Sequence, residues 1–180
     1  MEDAQHIIEF LHLIDKLKHT PRTGWVYCKV PNPESISDHM YRMAVMAMIL
    51  APPTIDRSHA VMVSLCHDMA EAIVGDITPH DPVTPEDKHE RELKAIMEMS
   101  KLLPKERGEE IVNCWKEFEE KKTDVAKFCA QLDKIEMCVQ AGEYQDKFGL
   151  NLSQFFTSMP EKPVDGLQTL CDEVSKFSNK

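Results

Sequence analysis

Apolar residues recur at intervals of three and four along most of the chain. Ile7, Ile8, Leu11, Ile14 and Leu17 share one helical face, which predicts an amphipathic helix over about 3–18. Pro21 stops it. The stretch from Thr20 to Pro33 carries three prolines and Gly24 and predicts an irregular loop, although it also holds Trp25 and Tyr27. Such aromatics either pin a loop to the core or wall a pocket. Ser35-Ile36-Ser37-Asp38 has the form of a capping box and opens a helix to about Leu50, apolar almost all round and therefore expected at the centre. Pro52 and Pro53 end it. A helix from about Asp56 to Ile73 follows, closed by Gly75, and then a polar, proline-rich loop to Pro85. Further helices are expected over Glu86–Leu102, from Pro104 to about Lys121, and from Asp124 to about Tyr144. The last has Val125, Phe128, Leu132, Ile135 and Val139 on its apolar side. A short helix near Ser153 and a final one over about Val164–Phe177 complete an all-α, single-domain bundle.

Composition supports this reading. A chain of 180 residues can bury one sizeable core, and only 6 glycines argue against an all-β fold. Methionine, at 11, fills irregular gaps between helices. The formal net charge of −10 makes the chain a poor partner for a nucleic-acid polymer or an anionic membrane, so neither is expected. A local cation or arginine can still hold one phosphate. None of the 6 cysteines forms a Cys-x-x-Cys pair, so a zinc ribbon or redox dithiol is not expected. The opening MEDAQHIIEF has no basic region followed by an apolar one, and no apolar run approaches the roughly 20 residues of a membrane span. An intracellular, cytoplasmic location is the expectation.

The chemistry lies in polar residues on apolar helices. His39 is near the start of the central helix. His67 and Asp68 adjoin within AVMVSLCHDMAEAIVGD, and Glu71 follows on the same side. Asp76 lies just past Gly75, and Asp133 lies within the amphipathic helix near the C-terminal third. Taken singly, each has a bland reading. His39 is a cap or surface residue, His67–Asp68 a satisfied core pair, and Glu71 and Asp133 solvated or ion-paired. Together they suggest a mixed nitrogen and oxygen site for a divalent cation, because a carboxylate buried without a partner costs several kcal/mol.

The order His39, His67-Asp68, Asp133 resembles the H…HD…D signature of the HD superfamily. ESISDH (34–39), CHDMAEAIVGDITP (66–79) and CAQLDKIE (129–136) resemble the small HD-domain 5′-deoxynucleotidases, with the signature core at about 35–140. The resemblance implies a helical fold and removal of the 5′-phosphate from deoxyribonucleoside monophosphates. It implies that His39, His67, Asp68 and Asp133 hold the metal (Mn, Co or Mg, with Zn or Fe as alternatives). Glu71 would handle the attacking water beside the catalytic Asp68, and Asp76 would contact the sugar. In an alternative assignment Glu71, Asp76 and the Ile77 carbonyl hold a second metal. Arg22, Trp25 and Thr78 would complete the substrate contacts. Here the family's adjacent Arg-Trp pair is split by Thr23 and Gly24, and the family's Asp-x-Pro-Thr order becomes Asp76-Ile77-Thr78-Pro79. Family analogy also implies a homodimer. Competing readings are an HD hydrolase of cyclic or triphosphate nucleotides, and a non-catalytic, metal-stabilised nucleotide-binding or adaptor protein.

Overall fold

A computed structural model describes residues 2–179, with side chains from 4 to 178. Helix α1 spans Glu2–Leu17, α2 Thr23–Tyr27, α3 Ile36–Leu50, α4 Arg57–Cys66, α5 Glu71–Val74, α6 Pro85–Ser100, α7 Lys105–Glu120, α8 Asp124–Phe148 and α9 Gln168–Ser175. Two 3-10 turns, Ser153–Ser158 and Lys176–Asn179, flank α9 in the sequence. Among the described residues the only β-type pairing is one bridge, Pro21 to Ser35.

The helices begin where the sequence supplies an oxygen for the free amides of a first turn. Ser35 Oγ accepts the Asp38 N–H at 3.2 Å and Asp38 Oδ2 accepts the Ser35 N–H at 2.8 Å, the reciprocal box expected from the sequence. Thr84 and Thr123 cap α6 and α8 through one bond each, their hydroxyl oxygens accepting the Asp87 and Ala126 N–H. At the far end of α8, Gly149 takes φ 66°, a left-handed turn that glycine adopts without strain.

Helix α3 packs on α4 and α8, and α4 packs on α7 and α8. The main core lies between them and includes Met43, Ala47, Val63, Phe128, Leu132 and Ile135, all buried. Burial of such side chains supplies roughly 1.5–3 kcal/mol each against chain entropy. A second core joins Phe10 and Leu17 of α1 to Ile36 and Met40 of α3. At the α6–α7 seam, a Cβ on Gly108 would lie 2.4 Å from the Ser100 carbonyl oxygen, so the two backbones meet there without an intervening side chain.

Four sequence expectations need correcting. The loop over 20–33 contains a helical turn, α2, with Trp25 buried beneath it. Helix α3 is not buried all round, because Tyr41, Met48 and Ile49 face outward. The helix expected over 56–73 is broken. From Cys66 to Ile73 the amides of Met69, Glu71, Ala72 and Ile73 bond three residues back rather than four, which tightens the chain into a 3-10-like run between α4 and α5. Side chains three apart nearly eclipse in such a run, so Asp68 and Glu71 come onto one line. The last helix is shorter than expected and gives way to a 3-10 turn.

Candidate active site

The tightened run, α3 and α8 point polar side chains at one spot. His39 Nε2 lies 3.3 Å from His67 Nε2, 3.3 Å from Asp133 Oδ1 and 3.8 Å from Asp68 Oδ2. His67 Nε2 is 3.0 Å from Asp68 Oδ2. The helices thus bring together the four residues expected from the sequence as metal ligands. His39, His67 and Asp133 form a set whose donor atoms all lie within 4.8 Å of one another.

The donor chemistry suits a divalent cation. Each Nδ1 is already engaged, His67 with the Ser64 carbonyl at 2.7 Å and His39 with Glu136 at 2.5 Å, so both Nε2 atoms are turned to the centre. Donor separations of about 3–3.5 Å are those expected when metal–ligand bonds are about 2.0–2.2 Å. Burial and the Arg22 charge oppose protonation of His39, yet its bonds to Asp133 and Glu136 prevail and raise it to about 9. Burial alone would raise Asp68 and Asp133. Asp68 is instead held well below the usual range by His67, Arg22 and His39, and Asp133 by Lys134, His39 and His67.

His67, Asp68 and Asp133 line a cavity of about 620 Å³ together with Arg22, Trp25, Glu71, Asp76, Ile77 and Thr78, and His39 lies fully buried directly behind them. Arg22, at the start of α2, reaches Asp68 Oδ2 at 3.2 Å despite the two residues that separate it from Trp25. Trp25 is a fixed wall. Its ring is buried against Tyr144 and Phe155, and its indole N–H donates to Glu34 at 2.9 Å. Glu71 is 3% exposed, and its Oε2 has no donor among the described residues. Burial, then Asp68 and Asp76, raise its pKa well above the carboxylate norm. Asp76 Oδ2 accepts the Thr23 N–H at 2.6 Å, which leaves its other oxygen for a ligand. Thr78 lines the cavity, but its hydroxyl donates to Asp81 at 2.8 Å.

Sequence reasoning missed Glu136, Arg42, Lys88 and Glu92. Glu136 is fully buried behind His39. The available signal was an acidic residue three after Asp133, flanked by the apolar Ile135 and Val139. Lys88 and Glu92, one turn apart on α6, line the cavity as an ion pair at 3.4 Å.

An all-helical bundle with a histidine–aspartate cluster at the base of a cavity defines a class, and the comparisons agree with it. The HD domain pattern matches residues 14–171, and the chain belongs to that family. It is 48% identical over 143 residues to 5′-deoxynucleotidase HDDC2 of Homo sapiens, which covers 79% of this chain and 70% of that protein. The 5′-deoxynucleotidase hdd1 of Schizosaccharomyces pombe is 44% identical over 155 residues, covering 83% of this chain and 78% of that one. Among solved structures, a conserved hypothetical protein of Pyrococcus furiosus matches with a TM-score of 0.76 at 30% identity, over 94% of this chain and 99% of that one. The all-α fold and the family resemblance expected from the sequence are borne out.

Proposed function

We propose that this chain is a metal-dependent 5′-deoxynucleotidase that hydrolyses deoxyribonucleoside 5′-monophosphates to deoxyribonucleosides and phosphate. The observation that carries the reading is the convergence of His39, His67, Asp68 and Asp133 at the inner end of one cavity whose wall also holds Arg22 and Glu71. Relatives at 44–48% identity bear that activity in their names.

A divalent cation on His39, His67, Asp68 and Asp133 would lower the pKa of a bound water and draw charge from a phosphoryl oxygen. Arg22 holds the phosphate by its guanidinium and offsets charge on the equatorial oxygens. Glu71, on the cavity wall with its Oε2 free of any donor among the described residues, is placed to accept the proton of the attacking water. Asp76, fixed through one oxygen by Thr23, offers the other to the sugar. Trp25 supplies an immobile apolar wall, and Thr78 braces the rim through Asp81. Mn, Co or Mg fits this mixed nitrogen and oxygen donor set.

A homodimer belongs to the same reading. It is supported by outward apolar side chains on α1 (Ile7, Ile8, Leu11) and α3 (Tyr41, Met48, Ile49). A cytoplasmic site of action accords with six free thiols. No helix among the described residues is long and apolar enough to cross a membrane.

The test is phosphate release from deoxynucleotides and ribonucleotides after chelation and add-back of each metal. The expected result is loss of activity on chelation, return with one or more of Mn, Co and Mg, and preference for the deoxy series. Absence of release with every metal would overturn the reading.

A further inference from the structure

The two histidines at the centre are supported differently. His67 Nδ1 faces a neutral backbone carbonyl, that of Ser64. His39 Nδ1 faces a carboxylate, Glu136 Oε2, at 2.5 Å, and both residues are fully buried. The other oxygen of Glu136 accepts from Arg42 Nε at 2.7 Å. The remaining Arg42 nitrogens donate to Gln140 Oε1 at 2.7 Å and Glu143 Oε2 at 2.8 Å. His39 and Arg42 sit three apart on α3, while Glu136, Gln140 and Glu143 lie on successive turns of α8. One line of charge-assisted bonds therefore runs from exposed Glu143 through Arg42 and Glu136 to His39 Nδ1, across the ring from the Nε2 that faces His67 and Asp133.

This arrangement has a cost that calls for an explanation. A buried carboxylate and a half-buried guanidinium give up hydration, and an apolar pair of the same size is often as stable. Glu136 is fully buried and is not among the residues that line the cavity. What it does touch is His39. A carboxylate on Nδ1 fixes the ring's orientation, keeps the proton on Nδ1 and pushes electron density to Nε2 more strongly than a carbonyl does.

We propose that Glu136, aligned by Arg42, is the positioning residue that makes His39 the stronger of the two imidazole donors to the divalent cation. The proposal rests on the metal-dependent reading above and adds to it a source for the site's affinity. Arg42 works one step further out: it holds the Glu136 carboxylate through its other oxygen and partly neutralises it, so its loss weakens the cation site less than loss of Glu136.

The experiment is a titration of chelator-stripped full-length protein with Co²⁺, followed by visible absorption and calorimetry, for wild type, Glu136→Gln and Arg42→Met. Folding of each is checked by circular dichroism and urea midpoint. Glu136→Gln is expected to weaken Co²⁺ binding about 10–100-fold, the usual effect of losing such a partner, and Arg42→Met to weaken it less. Should Glu136→Gln not fold, Arg42→Met carries the test: its Co²⁺ affinity must fall by more than twofold. A folded Glu136→Gln with affinity within twofold of wild type overturns the proposal, as does a variant pair in which only the urea midpoint moves. The two readings fail separately. Wild type that binds no Co²⁺ or Mn²⁺ sinks the metal site itself, whereas wild type that binds metal and releases phosphate beside an unweakened Glu136→Gln sinks only the role of Glu136.

Discussion

At the inner end of the cavity, His39 and Asp133 stand on long helices, and His67 and Asp68 follow directly on α4, with Ser64 and Glu136, the partners behind the two histidines, fully buried. At the rim, Arg22, Asp76 and Thr78 stand on short connections, held by bonds such as Thr23 N–H to Asp76 and Thr78 to Asp81. The inner groups are over-determined by packing, because moving one means moving a helix. The rim groups are set by a few local hydrogen bonds and can be exchanged one at a time. Binding of the cation and selection of the substrate are therefore expected to respond to different mutations.

The sharpest way to break this comparison is at Asp68, which touches His67, His39 and Arg22 at once. Asp68→Ala is expected to lower phosphate release by about 10³-fold and to lose bound metal, at the upper end of what removal of one charge-stabilising group costs. Retention of a tenth of the activity would show that the inner cluster is not the reaction centre. Arg22→Met should act at the rim alone. Turnover falls about 10²-fold while metal content by elemental analysis stays at the wild-type level. Joint loss of metal and turnover would merge the two regions.

Glu92 lies between them and gives the smallest effect. Burial, with Glu119 and Asp68 adding to it, raises its pKa from 4.5 to about 7 against the pull of Lys88. The folded state thus keeps a proton that the unfolded chain releases, so this group destabilises the protein progressively as pH rises from about 4.5 to about 7 and fully above that. Glu92→Gln should accordingly raise the melting temperature at pH 8, by an amount on the order of 2 kcal/mol in stability, and leave it nearly unchanged at pH 4.5. An equal effect at both pH values would remove the cause assigned here.

Much of the fold was legible because it is periodic. The capping box at Ser35 and Asp38, and the apolar face of α8 through Phe128, Leu132 and Ile135, follow from spacing alone. Helix α2, with five residues, is shorter than any periodicity can register. The break after Cys66 escaped because the same residues satisfy both helical forms; the difference lies only in which carbonyl each amide chooses. His39, His67, Asp68 and Asp133 were legible as a set through their order. Glu136 and Arg42 were not, since they meet across 94 positions of sequence and each looks like an ordinary surface charge.

Gly108 carries a consequence for how the sequence can drift. At the α6–α7 seam the Ser100 carbonyl oxygen occupies the space of any Cβ at that position. Even alanine would act as a wedge under the C-terminal end of α6, a rod roughly 24 Å long at 1.5 Å per residue. Its N-terminal half carries Lys88 and Glu92 at the cavity wall. One missing methyl group in this buried seam thus holds position 108 to glycine, and ties the mutational tolerance of a site away from the cavity to the shape of the cavity wall.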